Sequence, residues 1–255
     1  MKYKLGLVSV SFRELTAERI VEIARDHCLE AIEWGGDIHV PSGNIEAARA
    51  VGELTRSSGL KVTEYGSYYR LGVSAADDID KVVTSACALG TGVVRVWAYN
   101  KGSEEITADE YKKTVEDARR ICSLYPELEF CTECHNNTLT DDYRFNLKLI
   151  EDVDMPNFAA FWQPNQHKSH EYNLESAMAL APHVRSVHVF AWEGNHKYPL
   201  ERHRDRWIEY LKIFAEHSKK DTNVNLMLEF MHDNAPASLG ETAIELKNIV
   251  DLAQN

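Results

Sequence analysis

Five cysteines, at positions 28, 87, 122, 131 and 134, are too few and too irregularly spaced in 255 residues to form a disulfide framework. An odd set of this kind suits a reducing compartment, so the expected setting is cytoplasmic. Positive charge is also short, with 28 Lys and Arg against 40 Asp and Glu and a net charge of −12. No Lys/Arg cluster is visible, which argues against a nucleic-acid partner, because that affinity rests on basic patches that release counterions. Long apolar runs are missing as well. The N-terminal MKYKLGLVSVSF is only strand length and no small-residue cleavage site follows it, so it reads as a first strand, and no membrane association is expected. No Gly-rich phosphate loop follows that strand either. The loop there is SVSFREL, which disfavours a doubly wound dinucleotide-binding sheet.

What is present is a repeat of strand and helix without linkers or low-complexity segments. Strands are expected at Leu5–Val10, Glu30–Trp34, Leu60–Tyr65, Gly92–Trp97, Leu128–Glu133, Phe158–Gln163, Val184–Phe190 and Val224–Phe230. Amphipathic helices lie between them. Thr16 caps the first, with Ile20, Ile23 and Ala24 at helical spacing, and the others run from Ile45, Ala75, Thr107, Asp142, Leu174, Leu200 and Leu239. Strands alternating with helices predict a parallel sheet, and eight such units predict closure into one (β/α)8 barrel domain, a TIM barrel, over residues 1–255. A hydrophobic content of 44% is ample for that core.

Four of the strand candidates end in a polar residue: Glu133 after ELEFCT, Gln163 after NFAAFW, His188 within VRSVHVF and Glu229 after VNLML. In a barrel, C-terminal strand ends meet at one mouth, which is where barrel active sites lie. Two carboxylates, an imidazole and an amide oxygen suit one divalent ion, with Mn²⁺ the expectation and Mg²⁺, Co²⁺ or Zn²⁺ the alternatives. His188 alone would read as a satisfied interior histidine, and Gln163 as a loop-bonding strand end. The glutamates are less easily dismissed, because a carboxylate in an apolar strand is costly unless paired or metal-bound. His39, Glu64, Arg95, Trp97, His135, His167 and Trp192 fall at or near the same expected mouth and are candidate substrate contacts. Aromatic faces beside hydrogen-bonding groups suit a small carbohydrate. His196, His203 and Arg204 read as a solvated, charged face. The CTEC motif at Cys131 and Cys134 reads as core or site lining, since residues three apart on a strand lie roughly 10 Å apart, too far for a disulfide.

The order Glu133, Gln163, His188, Glu229, with the phrases IEWGGDIHVP (32–41), GSYYRLG (66–72), FWQPN (161–165), HVFAW (188–192) and LEF (228–230), resembles the xylose isomerase-like TIM-barrel superfamily. Within it, the chain is similar to the sugar phosphate isomerase/epimerase family that includes ketose 3-epimerases. The resemblance implies a metal-dependent isomerase or epimerase in which Glu133 and Glu229 bind the ion and form the acid/base pair. The ion would polarise a carbonyl and hold an enediolate, with His188 as a neutral ligand. Three departures stand out. Gln163 replaces the strand-six Asp, Gln166 stands where a His is expected and His167 follows it, and no Arg follows His188. The alternatives are a lyase or hydratase acting on a 3-keto-glycoside, a phosphodiesterase like the superfamily's DNA-repair endonucleases, and a sugar-binding protein whose weakened metal site no longer turns over. A small-molecule carbohydrate is the expected partner, and homo-oligomerisation stays open.

Overall fold

The computed structural model describes residues 3–219 and 223–254. Eight parallel strands close into a barrel: β1 Tyr3–Val8, β2 Ala31–Gly35, β3 Lys61–Leu71, β4 Val93–Ala98, β5 Glu129–Glu133, β6 Phe158–Trp162, β7 Val184–Val189 and β8 Val224–Leu228. Each strand pairs with its sequence neighbour, and β1 pairs with β8 through Leu5 opposite Leu226. The helices alternate with them as α1 Ala17–Asp26, α2 Ile45–Ser57, α3 Asp78–Leu89, α4 Ala108–Leu124, α5 Tyr143–Val153, α6 His170–Leu180, α7 Arg204–His217 and α8 Leu239–Gln254. This is the expected (β/α)8 architecture. Among the described residues no helix is long and apolar enough to cross a membrane.

Local signals account for the helix ends. The Thr16 hydroxyl accepts from the Arg19 N–H at 3.4 Å to start α1, and Thr107 with Glu110 forms a complete capping box on α4. The expected helix from Leu200 is in fact a 3-10 turn, Leu200–His203, followed by α7. A short hairpin that the sequence did not announce, Trp192–Glu193 against His196–Lys197, fills the loop after β7.

Outward strand residues pack against the helices. Trp34 donates its indole N–H to Thr55 of α2, and Trp162 donates to Ser176 of α6. Trp162 also packs against Trp207, Tyr210 and Phe214 of α7. Inward residues fill the barrel, with Val8, Val10, Ala31 and Met227 in one cluster and Cys131, Ala159 and Phe161 in another. These apolar layers form the floor beneath the polar strand ends.

Candidate metal centre and active site

β5, β6, β7 and β8 deliver Glu133, Gln163, His188 and Glu229 to the same end of the barrel, because each stands at or next to the last residue of its strand. Glu133, His188 and Glu229 are all buried, and one ligand atom from each falls within 4.8 Å of the others. His188 Nδ1 lies 3.5 Å from Glu133 Oε1 and 3.5 Å from Glu229 Oε2. Two donors about 2.1 Å from one ion subtend about 3.0–3.4 Å at angles from octahedral to tetrahedral. The spacing therefore fits three ligands around one ion.

Three of the four candidate ligands are oriented from behind. His188 Nε2 lies 2.8 Å from Glu33 Oε2, a buried contact that places the ring proton on Nε2 and leaves Nδ1 free. Nδ1 itself has no hydrogen-bond partner. Gln163 donates its Nε2 to the Cys134 carbonyl at 2.8 Å, so its buried Oε1 is the free end of the amide, and it too lacks a partner. Arg95 Nη1 holds Glu133 Oε2 at 2.5 Å with both side chains almost completely buried, leaving Oε1 for the cluster. Gly66 of β3 leaves room for the Glu33 carboxylate, since a Cβ there would lie 2.9 Å from Glu33 Oε1.

Burial pushes the Glu133 carboxyl up, but Arg95 and then His188 overcome this and hold it below the usual carboxylate range. Glu229 differs. Burial raises it, and His188 opposes the rise without cancelling it. Burial disfavours charge on His188, yet Glu33, Glu229 and Glu133 together hold a proton on it. A cluster that draws positive charge to an imidazole facing two carboxylates draws a cation for the same reason. The unpartnered Nδ1 and Oε1 atoms and the hard-to-borderline donor set both fit a divalent ion.

The remaining candidates divide. Trp97 and His135 stack edge-on at 4.7 Å, with the Arg95 guanidinium 4.4 Å from the Trp97 ring centroid. His135, Gln163, Trp192, Glu229 and Phe230 line one cavity. Glu64 does not reach that mouth. It is fully buried in the barrel and bonded by Asn225 Nδ2 near the start of β8, because the register shifts between Ile32 and Glu33 along the β2–β3 pair. Burial, then the Glu33 charge, pushes its carboxyl up to about 7. His39 packs edge-on against Trp34 and bonds the Leu15 carbonyl, which places it in the layer between barrel and helices. His167 and Lys168 line an adjoining groove that shares Asn136, Asp141 and Asn165 with the cavity of His135 and Glu229. His203, expected on a solvated face, is 6% exposed and contacts Glu193 at 3.2 Å.

Sequence reasoning passed over Glu33. Its pattern, a carboxylate in the apolar strand AIEWG, is the same signal that marked Glu133 in EFCTE.

Solved structures that share this fold include several xylose isomerase-like TIM-barrel proteins, and the likeness is one of fold. No family model matches the chain. A curated relative, the 3-dehydroshikimate dehydratase of Bacillus anthracis, is 24% identical over 266 aligned positions covering 92% of each chain. A solved structure of the probable 3-DHS dehydratase of petrobactin synthesis from that organism superimposes with TM-score 0.75 at 24% identity over 96% of this chain and 99% of the other. A xylose isomerase-like TIM-barrel protein from Mycobacterium smegmatis, solved in complex with magnesium, gives TM-score 0.67 at 11% identity over 99% and 97% of the chains. The IOLI protein, solved with a zinc atom, gives 0.69 at 12% identity over 98% of each.

Proposed function

We propose that this chain is a divalent-metal-dependent lyase that removes water from a small hydroxylated carbonyl compound after taking a proton from the carbon next to the carbonyl. Glu133, Gln163, His188 and Glu229 would hold the ion, Mn²⁺ being the proposed natural metal and the cytoplasm the proposed setting. When bound, the ion would supply Lewis-acid polarisation of the carbonyl oxygen.

The observation that carries the reading is the unequal treatment of the two glutamates. Glu133 has one oxygen facing the ligand cluster and the other on Arg95, and its basicity is low. Glu229 has one oxygen facing His188, lines the cavity, and accepts no hydrogen bond among the described residues. Glu229 is thus the base on this wall of the cavity and Glu133 a charge-balanced ligand. One base is enough for elimination, in which the α-proton goes to Glu229 and the neighbouring carbon loses its hydroxyl together with a proton from an acid. His135 lines the same cavity and is the acid in this scheme. The dehydratase activity of the Bacillus anthracis relative supports the same reaction class.

The isomerase or epimerase reading requires a second group that returns the proton to carbon. His135 is also what favours it, since an imidazole can serve in either role. Incubation of the metal-loaded protein in D₂O with 3-dehydroshikimate and a panel of ketoses separates the two. Loss of one water from the substrate mass supports the lyase. Unchanged composition with one solvent deuterium on carbon supports the isomerase, and neither change with any compound would leave a binding protein.

A further inference from the structure

Beside the cavity that holds Glu229 stands a cation that forms no ion pair among the described residues. The loop after β7 folds into the Trp192–Lys197 hairpin, turned by Gly194 at φ 58°. Backbone bonds tie it down on both sides, Tyr198 N–H to the Ala191 carbonyl at 2.7 Å and Gly194 N–H to the Gln166 carbonyl at 2.8 Å. Glu193 is gripped from outside by Arg206 and His203, each at 3.2 Å. The hairpin is therefore a braced element.

Its inner side presents Lys197. The ammonium sits 4.6 Å from the Trp192 ring centroid and 4.9 Å from that of Phe230, and both rings line the cavity that contains Glu229. Its polar partner is the neutral amide oxygen of Asn234, at 2.6 Å, and no ion pair reaches it among the described residues. Burial makes this ammonium less basic, while Glu229 acts the other way. A second donor lies beside it. Among the described residues the Trp192 indole N–H is buried without an acceptor, as is that of Trp97, whereas Trp34, Trp162 and Trp207 each satisfy theirs. A buried donor left unmade is costly, and here it faces no protein acceptor.

We propose that Lys197 and Trp192 bind a carboxylate on the substrate, so that the substrate class is a small hydroxylated keto acid and not a neutral sugar. The inference rests on the active site proposed above and deepens it. An ammonium held between two aromatic rings, with an adjacent N–H, offers an anion two donors in a partly desolvated setting, where charge-assisted bonds are strongest.

The test is calorimetric titration of the metal-loaded protein with shikimate and with its methyl ester, in the parent chain and in Lys197→Met, Lys197→Arg and Trp192→Phe. The parent should prefer the acid by about tenfold, the scale of one charge-assisted hydrogen bond. Lys197→Met should erase the preference, Lys197→Arg should keep most of it, and Trp192→Phe should reduce it while retaining the ring. Thermal unfolding checks that each variant is folded. Equal binding of acid and ester by the parent, binding of neither, or a preference untouched by Lys197→Met would overturn the proposal. Displacement of shikimate by inorganic phosphate but not by acetate would overturn the carboxylate assignment. The D₂O incubation is scored separately: acid preference without loss of water leaves the anchor standing and removes the lyase, and loss of water without acid preference does the reverse.

Discussion

Replacing Glu33 should weaken metal binding and also destabilise the metal-free protein, since its carboxylate is the nearest buried partner of a His188 ring that holds a proton there. The carboxylate lies 2.8 Å from His188 Nε2 with both groups essentially fully buried. It sits in a barrel interior that also holds Glu64, Glu133 and Glu229, with the Arg95 guanidinium and the His188 ring as counter-charges. Without the ion, removing this charge relieves some repulsion on Glu64 but leaves the His188 imidazolium without its nearest partner, so the net effect is destabilising. With the ion, the same removal frees the imidazole to turn and lowers its basicity. Loss of such an outer partner typically costs about 10–100-fold in metal affinity, or about 1.4–2.7 kcal/mol. Glu33→Gln, whose amide oxygen can still accept from Nε2, should fall near the lower figure, and Glu33→Ala near the upper. Competition against a fluorescent chelator measures the affinity, and urea unfolding in excess chelator measures the stability. Unchanged metal affinity in Glu33→Ala would refute the assignment of Glu33 as the group that orients His188.

Three further outcomes are expected. Arg95→Met leaves the Glu133 charge buried and unpaired and should cost about 3–5 kcal/mol in urea unfolding, most of it recovered in Arg95→Met/Glu133→Gln; an equally unstable double variant would show that Arg95 acts through packing alone. Gln163→Met should lower metal affinity about tenfold or more while the chain stays folded, and an unchanged affinity would remove Gln163 from the ligand set. The Glu64 carboxyl is pushed up from 4.5 to about 7 in the folded chain, so its contribution is fully present below pH 4.5 and is lost as pH rises through 7. Glu64→Gln should therefore flatten that decline in the metal-free protein, as followed by urea unfolding across this window; a decline as steep as the parent's would count against it.

The barrel was legible because its signals are local and repeated. Buried parallel strands read as short apolar runs, caps such as Thr16 and Thr107 mark helix starts, and eight repetitions leave few topologies. The convergence of Glu133, His188 and Glu229 followed from strand-end position alone. What was illegible depends on which way a side chain faces and how strands are staggered. Glu64 and Glu33 are adjacent in register, yet one bonds the imidazole and the other drops to Asn225, a difference set by the register shift beside them. Arg95 was expected to touch substrate, and its ion pair with Glu133 spans 38 residues of sequence. The hairpin that carries Lys197 was hidden because two-residue strands leave no periodic trace.

The central claim is that one divalent ion is held where β5, β6, β7 and β8 end. Elemental analysis of protein loaded with Mn²⁺ and then desalted, beside Glu229→Gln treated identically, tests it most directly. One ion per chain in the parent and a clear loss in the variant is the predicted result. No retained metal in the parent, or equal retention in both, would contradict the account.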